Sequence, residues 1–347
     1  MSAEPTSLPP AAQVLQMIAG HWPARAVHVM ATCGIADAMS AEWRDVAAIA
    51  IATGTHAPSL ARLLRLLATL GVVERDGVVE PAGVTRYRLT ALGATLRTDA
   101  PDSVRGAALL MGGDAHYTAW GALEHSIRTG EPALLRTAGA TIFDWLATRP
   151  AERAVYNTWM TAATRMQLPA LRAALRDAVR GCVVDVAGGS GGLLAGLLVD
   201  APQARGILVD AQGDIALDAQ FVALCASGRA ERRRADIFID MPRGGDVYLL
   251  KYLLHAIDDA RAVEALRRCR EAMATDGTIA IIEMLVPEDG TPHRATLMDL
   301  NMLVLTDGGC ERTESEYRAL CAKAGLWVCR VTATPTPLTV LEVRRSG

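Results

Sequence analysis

The chain has 347 residues, of which 51% are hydrophobic and 21% charged, with a formal net charge of −3 and an isoelectric point near 6.2. This length suggests two domains, and the acidic balance argues against nucleic acid as a partner, because proteins that bind polyanions usually carry a basic surplus. The seven cysteines show no C-x-x-C pair and no metal-ligand spacing. They predict buried thiols in a reducing compartment and no metal site.

The N-terminal segment, residues 1–10, is rich in proline and carries Glu4 as its one charge. It lacks the charged start and apolar centre of a signal peptide, and no apolar run of the chain reaches the ~18 residues of a membrane span. A soluble cytoplasmic protein is therefore expected.

Helical spacing of apolar residues predicts the first elements. Helices are expected between residues 11 and 37, interrupted near Pro23, and again at 45–52 and 58–70. Pro58 suits a first helical turn and Gly71 suits the C-cap that ends the helix.

Two short strands follow these helices. Residues 72–74 and 87–89, joined through Gly77 and Gly83, have the pattern of a β-hairpin. Helix, helix and hairpin in this order predict a winged helix.

A winged helix most often reads DNA, so a ligand-sensing DNA-binding regulator is one hypothesis. The second helix, residues 58–70, offers Arg62 and Arg65, but the leucines at 60, 63, 64, 66 and 67 crowd the same segment and leave little polar surface for base edges. This composition favours a helix buried against a partner.

The segment 100–180 is helical in pattern and concentrates large soft and aromatic side chains, although the whole chain is only 4% aromatic. Such a concentration predicts an apolar wall for a flat ligand, and a packed helical core is the alternative. The residues are Met111, His116, Tyr117, Trp120, Phe143, Trp145, Tyr156, Trp159, Met160 and Met166.

The stretch 183–210 has the pattern of a βαβ unit. An apolar strand, a glycine cluster at 188–192, an apolar helix and a second strand ending at Asp210 follow one another. Such a turn binds a nicotinamide dinucleotide, a flavin dinucleotide or S-adenosylmethionine, or it is a glycine-rich turn without a ligand. Leu194 stands where a dinucleotide motif has its third glycine, which disfavours both dinucleotides.

Strands and helices alternate beyond this unit and predict a doubly wound α/β sheet. The predicted strands are 246–250, 278–282, 327–331 and 339–343, and the predicted helices are 258–272 and 313–324.

Three titratable residues follow these strands. His255 comes just after the strand 246–250, at the edge of the sheet where ligands bind, and is a candidate general base. Glu283 ends a neighbouring strand on the same edge. Glu311 precedes a helix, where it is either a partner of the base or only an acid near the helix cap.

Together these segments resemble the S-adenosylmethionine-dependent small-molecule O-methyltransferases, which include plant caffeate and flavonoid enzymes and bacterial antibiotic-tailoring enzymes. The resemblance covers nearly the whole chain. Its motifs are Gly34–Ala38, Leu63–Val72, Tyr87–Thr90, the glycine cluster, Leu250-Lys251 with His255 and Asp258-Asp259, and Glu311–Thr313.

The resemblance implies a winged-helix dimerisation domain at 1–105, a helical connector at 106–180 that contributes to the substrate pocket, and a Rossmann-like catalytic domain at 181–347. It also implies a homodimer and a catalytic group of His255 as base with Glu283 and Glu311. The residues that match the cofactor-binding positions are Gly188, Gly189, Asp210, Asp236, Ile237 and Lys251. Those that match the acceptor wall are Met111, Trp120, Tyr156, Met160, Asp299, Met302 and Thr306.

The chain departs from this family pattern at two places. Ala187 stands where the family usually has a third glycine, which is expected to tighten the loop slightly. Ala256 and Ile257 follow the histidine where Asp and Trp are common, so an acid and an aromatic side chain beside the base are missing.

Segments 20–29, 205–210 and 269–273 are especially similar to bacterial phenazine methyltransferases. The phenazine N-methylating relatives lack a histidine at the position of His255, since a ring nitrogen has no proton to remove. The histidine therefore favours oxygen as the nucleophile. The expected acceptor is a hydroxyl or N-hydroxyl on a phenazine or a similar planar tricycle, and another polycyclic antibiotic or a phenol is the alternative.

Overall fold

A computed structural model of the chain describes residues 8–76 and 85–346. It divides into two compact units, residues 1–114 and 115–347, each with its own buried core. The glycines expected to join the hairpin, Gly77 and Gly83, lie outside the described residues, as do residues 1–7 of the N-terminal segment.

The first unit is a winged helix preceded by two helices, as the sequence predicts. Its strands form an antiparallel sheet in the order β1-β3-β2, and its core holds Met30, Ile49, Leu64 and Leu67. Its elements are α1 Pro10–Ala19, α2 His21–Thr32, β1 Arg44–Asp45, α3 Val46–Thr53, α4 Ala57–Thr69, β2 Val73–Arg75, β3 Arg86–Leu89, α5 Ala91–Ala94 and α6 Arg105–Gly112.

The break between the first two helices falls at Gly20 and not near Pro23. Pro23 lies in the first turn of α2. A proline is tolerated there because the N–H groups of the first turn have no acceptor within the helix. The prediction of two helices was confirmed, whereas the position of their break was wrong.

The second unit contains a seven-stranded sheet with helices on both faces. Its elements are α7 Asp114–Gly121, α8 Leu123–Thr129, α9 Ala133–Ala138, α10 Ile142–Ala147, α11 Pro150–Leu175, β4 Cys182–Val186, α12 Gly192–Leu198, β5 Arg205–Asp210, α13 Ala219–Ala226, β6 Ala230–Arg234, β7 Val247–Lys251, a 3-10 turn Leu254–Ala256, α14 Asp259–Ala272, β8 Thr278–Met284, α15 Arg294–Leu305, α16 Glu314–Lys323, β9 Leu326–Ala333 and β10 Leu338–Arg345.

The sheet has the strand order β6-β5-β4-β7-β8-β10-β9, in which the first five strands are parallel and β10 is antiparallel to both neighbours. Alternate residues of β4 pack into the two hydrophobic clusters on opposite faces of the sheet. Val184 and Val186 face one cluster, and Val183 faces the other. The doubly wound Rossmann-like sheet was predicted correctly, and the structure adds the antiparallel hairpin at its end.

The topology places the ends of four strands next to one another. Val186 of β4 pairs with Leu250 of β7, and Lys251 pairs with Ile282 of β8, while Val186 also pairs with Val209 of β5. Because these strands are parallel, the residues that follow them share one edge of the sheet, where doubly wound proteins bind ligands. None of the described helices is long and apolar enough to cross a bilayer.

Candidate active site

A cavity of about 390 Å³ opens at this edge of the sheet. Its wall contains all six predicted cofactor-binding residues, Gly188, Gly189, Asp210, Asp236, Ile237 and Lys251. Two of the predicted acceptor residues, Tyr156 and Met160, also line it, as do Ala256 and Ile257. Residues that are far apart in the sequence are thus brought together around one space.

The loop after β4 leaves room because its residues are small. A Cβ atom on Gly188 would lie 2.4 Å from the carboxyl carbon of Asp185, so any other residue there would displace that side chain. Gly189 has a φ of +60°, a conformation that residues with side chains rarely adopt. Ala187 has a similar φ of 56° despite its methyl group, so it keeps the conformation that a glycine would take more easily.

Asp210 holds the glycine loop from the end of β5. One of its oxygens accepts a hydrogen bond from the N–H of Gly189 at 3.0 Å, and the other accepts from the N–H of Gln212 at 2.8 Å. Asp236 similarly accepts from the N–H of Phe238 at 2.9 Å. Both carboxyl groups are therefore fixed in orientation where they line the cavity.

Two residues of opposite charge, Asp185 and Lys251, line the cavity beside the glycine loop, and of these only Lys251 was predicted from the sequence. Asp185 is buried in β4 with one carboxyl oxygen lacking a partner, and burial raises its pKa to about 7. Lys251 donates to the hydroxyl of Thr164 at 3.1 Å, and burial lowers its pKa to about 8. The signal for Asp185 is present in the sequence, since it is the one acid in the apolar run Val-Val-Asp-Val before the glycines.

His255 lies in the turn after β7 with two carboxyl groups beside its ring. Its Nδ1 is 2.7 Å from Oε1 of Glu311 and 3.9 Å from Oε2 of Glu283. Burial opposes a charge on the ring, but the two carboxyl groups outweigh it and raise the pKa of His255 above 6.5. Burial likewise raises the pKa of Glu283. Since a carboxylate accepts, Nδ1 carries the hydrogen and Nε2 is the nitrogen available to take a proton.

Glu311 does not cap the helix that follows it. The cap of α16 is Thr313, which forms a reciprocal capping box with Glu316. Instead the backbone N–H of Glu311 donates to Asp299 at 3.0 Å while its side chain contacts His255. Asp299, predicted in the acceptor wall, thus helps to fix the carboxylate beside the histidine.

The side chains of Glu283 and Arg312 support the turn that carries His255. Glu283 Oε1 accepts from the N–H groups of Leu253 at 3.0 Å and Leu254 at 2.9 Å. Buried Arg312, which the sequence analysis gave no role, donates to the carbonyls of Leu254 at 2.7 Å and Ile257 at 2.9 Å. The turn that carries His255 and the segment that carries Glu311 are thereby joined.

The remaining predicted acceptor residues lie outside the cavity wall. Trp120 donates to the side chain of Asn301 at 3.0 Å, and the hydroxyl of buried Thr306 donates to the carbonyl of buried Met302 at 2.7 Å. Met111 belongs to α6 of the first unit. In contrast, Tyr156 meets Phe143 edge to face, with ring centroids 6.3 Å apart, and both rings line the cavity.

Comparison with known proteins shows the family of the chain. Residues 120–327 match the O-methyltransferase domain, and residues 15–99 match the O-methyltransferase dimerisation domain. The chain belongs to the O-methyltransferase family. Its winged helix is thus a dimerisation domain, in agreement with the predicted homodimer, and the hypothesis of a DNA-binding regulator is not supported.

Similar proteins and solved structures cover 93–98% of the chain. Phenazine O-methyltransferase PhzM of Lysobacter antibioticus is 37% identical over 97% of both chains. The crystal structure of LaPhzM has a TM-score of 0.87 at 36% identity, covering 98% of this chain and 100% of that one. A structure of the O-methyltransferase NcsB1 from neocarzinostatin biosynthesis, in complex with S-adenosylmethionine and 2-hydroxy-5-methyl naphthoic acid, has a TM-score of 0.78 at 36% identity, covering 93% and 96%.

Proposed function

We propose that this protein is an S-adenosylmethionine-dependent O-methyltransferase that acts on a hydroxyl or N-hydroxyl group of a planar aromatic secondary metabolite, with a phenazine as the favoured acceptor. The observation that carries the proposal is the imidazole of His255, held through Nδ1 by Glu311 at 2.7 Å at the ligand-binding edge of the sheet. The family, the cavity and this buried acid–base group all point to the same reaction.

The cavity residues fit the methyl donor. Gly188 and Gly189 let the donor approach the backbone closely, and Asp210 offers carboxylate oxygens of the kind that bind ribose hydroxyls. The unpartnered carboxyl oxygen of Asp185 suits a positively charged ligand, and Lys251 suits its carboxylate. Bound S-adenosylmethionine supplies a methyl group made electrophilic by the positive sulfonium.

The protein contributes proton removal and positioning. His255 takes the proton of the acceptor hydroxyl on Nε2 as the oxygen attacks, and general-base help of this kind contributes about 10²–10⁴ in rate. Glu311 fixes the tautomer through Nδ1 and stabilises the imidazolium, as a carboxylate does in a catalytic triad. Glu283 fixes the backbone of the turn and adds a second carboxyl group.

An oxygen nucleophile accounts for this acid–base group better than a ring nitrogen does. A hydroxyl group must lose a proton during methyl transfer, whereas a nitrogen lone pair needs no base. Phe143, Tyr156 and Met160 contribute apolar surface to the cavity wall, which suits a flat aromatic acceptor. The similarity to phenazine O-methyltransferase PhzM favours a phenazine among such acceptors.

Mass spectrometry of reaction products tests this function. The protein and S-adenosylmethionine are incubated with hydroxyphenazines, an N-hydroxyphenazine, hydroxynaphthoates and simple phenols, in parallel with His255→Ala. We expect a gain of one methyl group on oxygen with a phenazine, and a loss of about 10²–10⁴ in rate for the variant with donor binding retained. Methylation of naphthoates or phenols alone overturns the phenazine assignment. N-methylation of the acceptor, or full activity of His255→Ala, overturns the role of His255 as the general base.

We also place the enzyme in the cytoplasm. All seven cysteines are free thiols, several of them buried, which agrees with a reducing compartment.

A further inference from the structure

Tyr252, a residue that the proposed reaction has not yet used, has an unusual backbone. Its φ is +53°, and among the described residues only Ala187 shares a positive φ without being glycine. A left-handed conformation costs such a residue about 1–2 kcal/mol. Strain of this kind persists where the surrounding structure holds it, and it clusters at functional sites. Both residues directly follow strands, β4 and β7, and both line the cavity.

The ring of Tyr252 lies beside the imidazole of His255 and the ammonium group of Lys251. The ring is stacked on the imidazole of His255, with centroids 5.3 Å apart and planes inclined by 27°. The ammonium nitrogen of Lys251 lies 4.3 Å from the same ring centroid. An aromatic face attracts a cation at such distances, and the attraction is stronger where water is excluded.

The far end of the Tyr252 side chain is anchored to a different element. Its hydroxyl oxygen accepts a hydrogen bond from the side-chain amide of Gln167 on α11 at 2.9 Å. The amide oxygen of Gln167 is buried without a partner. The backbone of Tyr252 is therefore held by its place after β7, and its hydroxyl is held by α11. The ring has little freedom to move away from the imidazole.

We propose that Tyr252 is a positioning residue for His255, the proposed base. The stacked ring of Tyr252 holds the plane of the imidazole and stabilises the protonated form of His255. The inference rests on the proposed function, in which His255 becomes an imidazolium. Charged groups near the imidazole are Glu311, Glu283 and Lys251, of which the two acids favour the imidazolium and the lysine disfavours it. The ring adds a stabilising contact that carries no charge of its own.

Three variants separate the ring from the backbone and the hydroxyl. Tyr252→Phe keeps the ring and removes the hydroxyl, whereas Tyr252→Asn removes the ring and keeps a residue that tolerates positive φ. Tyr252→Gly removes the ring and the backbone strain together, and it replaces the Asn variant if that variant does not fold. Thermal unfolding of each variant checks that the fold is retained.

The deciding measurement is the titration of His255 by nuclear magnetic resonance of the imidazole, in protein without donor or acceptor. We expect Tyr252→Phe to keep the wild-type midpoint and Tyr252→Asn to lower it by about one pH unit, since loss of the ring destabilises the imidazolium. A purely structural role would lower the unfolding temperature without moving this midpoint. Equal midpoints in wild type, Asn and Gly variants would overturn the proposal.

Methyl-transfer kinetics give the second readout. In Tyr252→Asn we expect kcat to fall about tenfold and the acid limb of the pH profile to move to lower pH, while Tyr252→Phe stays near wild type. If the wild-type protein transfers no methyl group to any hydroxyl, the proposed function fails, but the His255 titration still decides the role of Tyr252. If the wild type is active and the Asn variant matches it in kcat and pH profile, the inference about Tyr252 alone is wrong.

Discussion

Replacing Glu311 with glutamine tests the acid–base group most directly. The change keeps the size of the side chain that lies 2.7 Å from Nδ1 of His255 but removes its negative charge. A hydrogen bond to a charged group contributes about 1.5–3 kcal/mol and a neutral one about 0.5–1.5 kcal/mol. The difference of about 1–1.5 kcal/mol corresponds to about one pKa unit.

The sign of the pH effect follows from the direction of the shift. The two carboxyl groups raise the pKa of His255 above 6.5 against the effect of burial, and only the neutral imidazole accepts a proton. In the wild type, kcat/KM should therefore rise with pH through a midpoint above 6.5. In Glu311→Gln the midpoint should move down by about one pH unit.

The maximal rate should also fall. A glutamine amide can donate to Nδ1, which places the imidazole hydrogen on Nε2, the nitrogen that must take the acceptor proton. Loss of the correct tautomer in a serine-protease triad lowers kcat by about 10⁴, and we expect kcat of Glu311→Gln to fall by about 10²–10⁴. The assay is kcat/KM from pH 5 to 9 with a hydroxyphenazine, with exposed Glu271→Gln as the matched control. An unchanged midpoint and rate in Glu311→Gln would refute this assignment of Glu311.

Three further substitutions test other parts of the site. Asp210→Asn should weaken donor binding about tenfold in calorimetry, because it removes the charge that holds the glycine loop; unchanged affinity would contradict a ribose-binding role. Arg312→Met should lower the free energy of unfolding in urea by about 3 kcal/mol, because the buried carbonyl of Leu254 and the partly buried carbonyl of Ile257 lose their donor; a loss below about 1 kcal/mol would argue against this role of Arg312. Ala187→Gly should raise that free energy by about 0.5–1 kcal/mol by relieving the positive φ, and a decrease would show that the alanine is not strained.

Local patterns in the sequence were sufficient for much of the fold. The strand, glycines and helix of the βαβ unit are contiguous in the chain, and the strand before His255 is a short apolar run between polar residues. Parallel order then places the following residues at one edge. The strand Ala230–Arg234 was missed because three arginines and a glutamate at the edge of a sheet carry no apolar alternation.

Other features depend on contacts between distant segments. Glu283 was expected beside the base, but its hydrogen bonds to the backbone of the histidine turn depend on a strand pairing that no local pattern reports. The φ of Tyr252 is not visible in the sequence, since tyrosine has no preference for that conformation. The contact of Asp299 is likewise not visible in the sequence, because its partner is the backbone N–H of Glu311, twelve residues away.

The bonds of Arg312 to the carbonyls of Leu254 and Ile257 have an evolutionary consequence. They join the turn that carries His255 to the segment that carries Glu311, while Phe143 and Tyr156 reach the cavity from helices earlier in the chain, α10 and α11. Mutations at these two helical positions can therefore reshape the cavity wall without disturbing the contact between His255 and Glu311. A lineage can diversify its products in this way while it preserves its reaction.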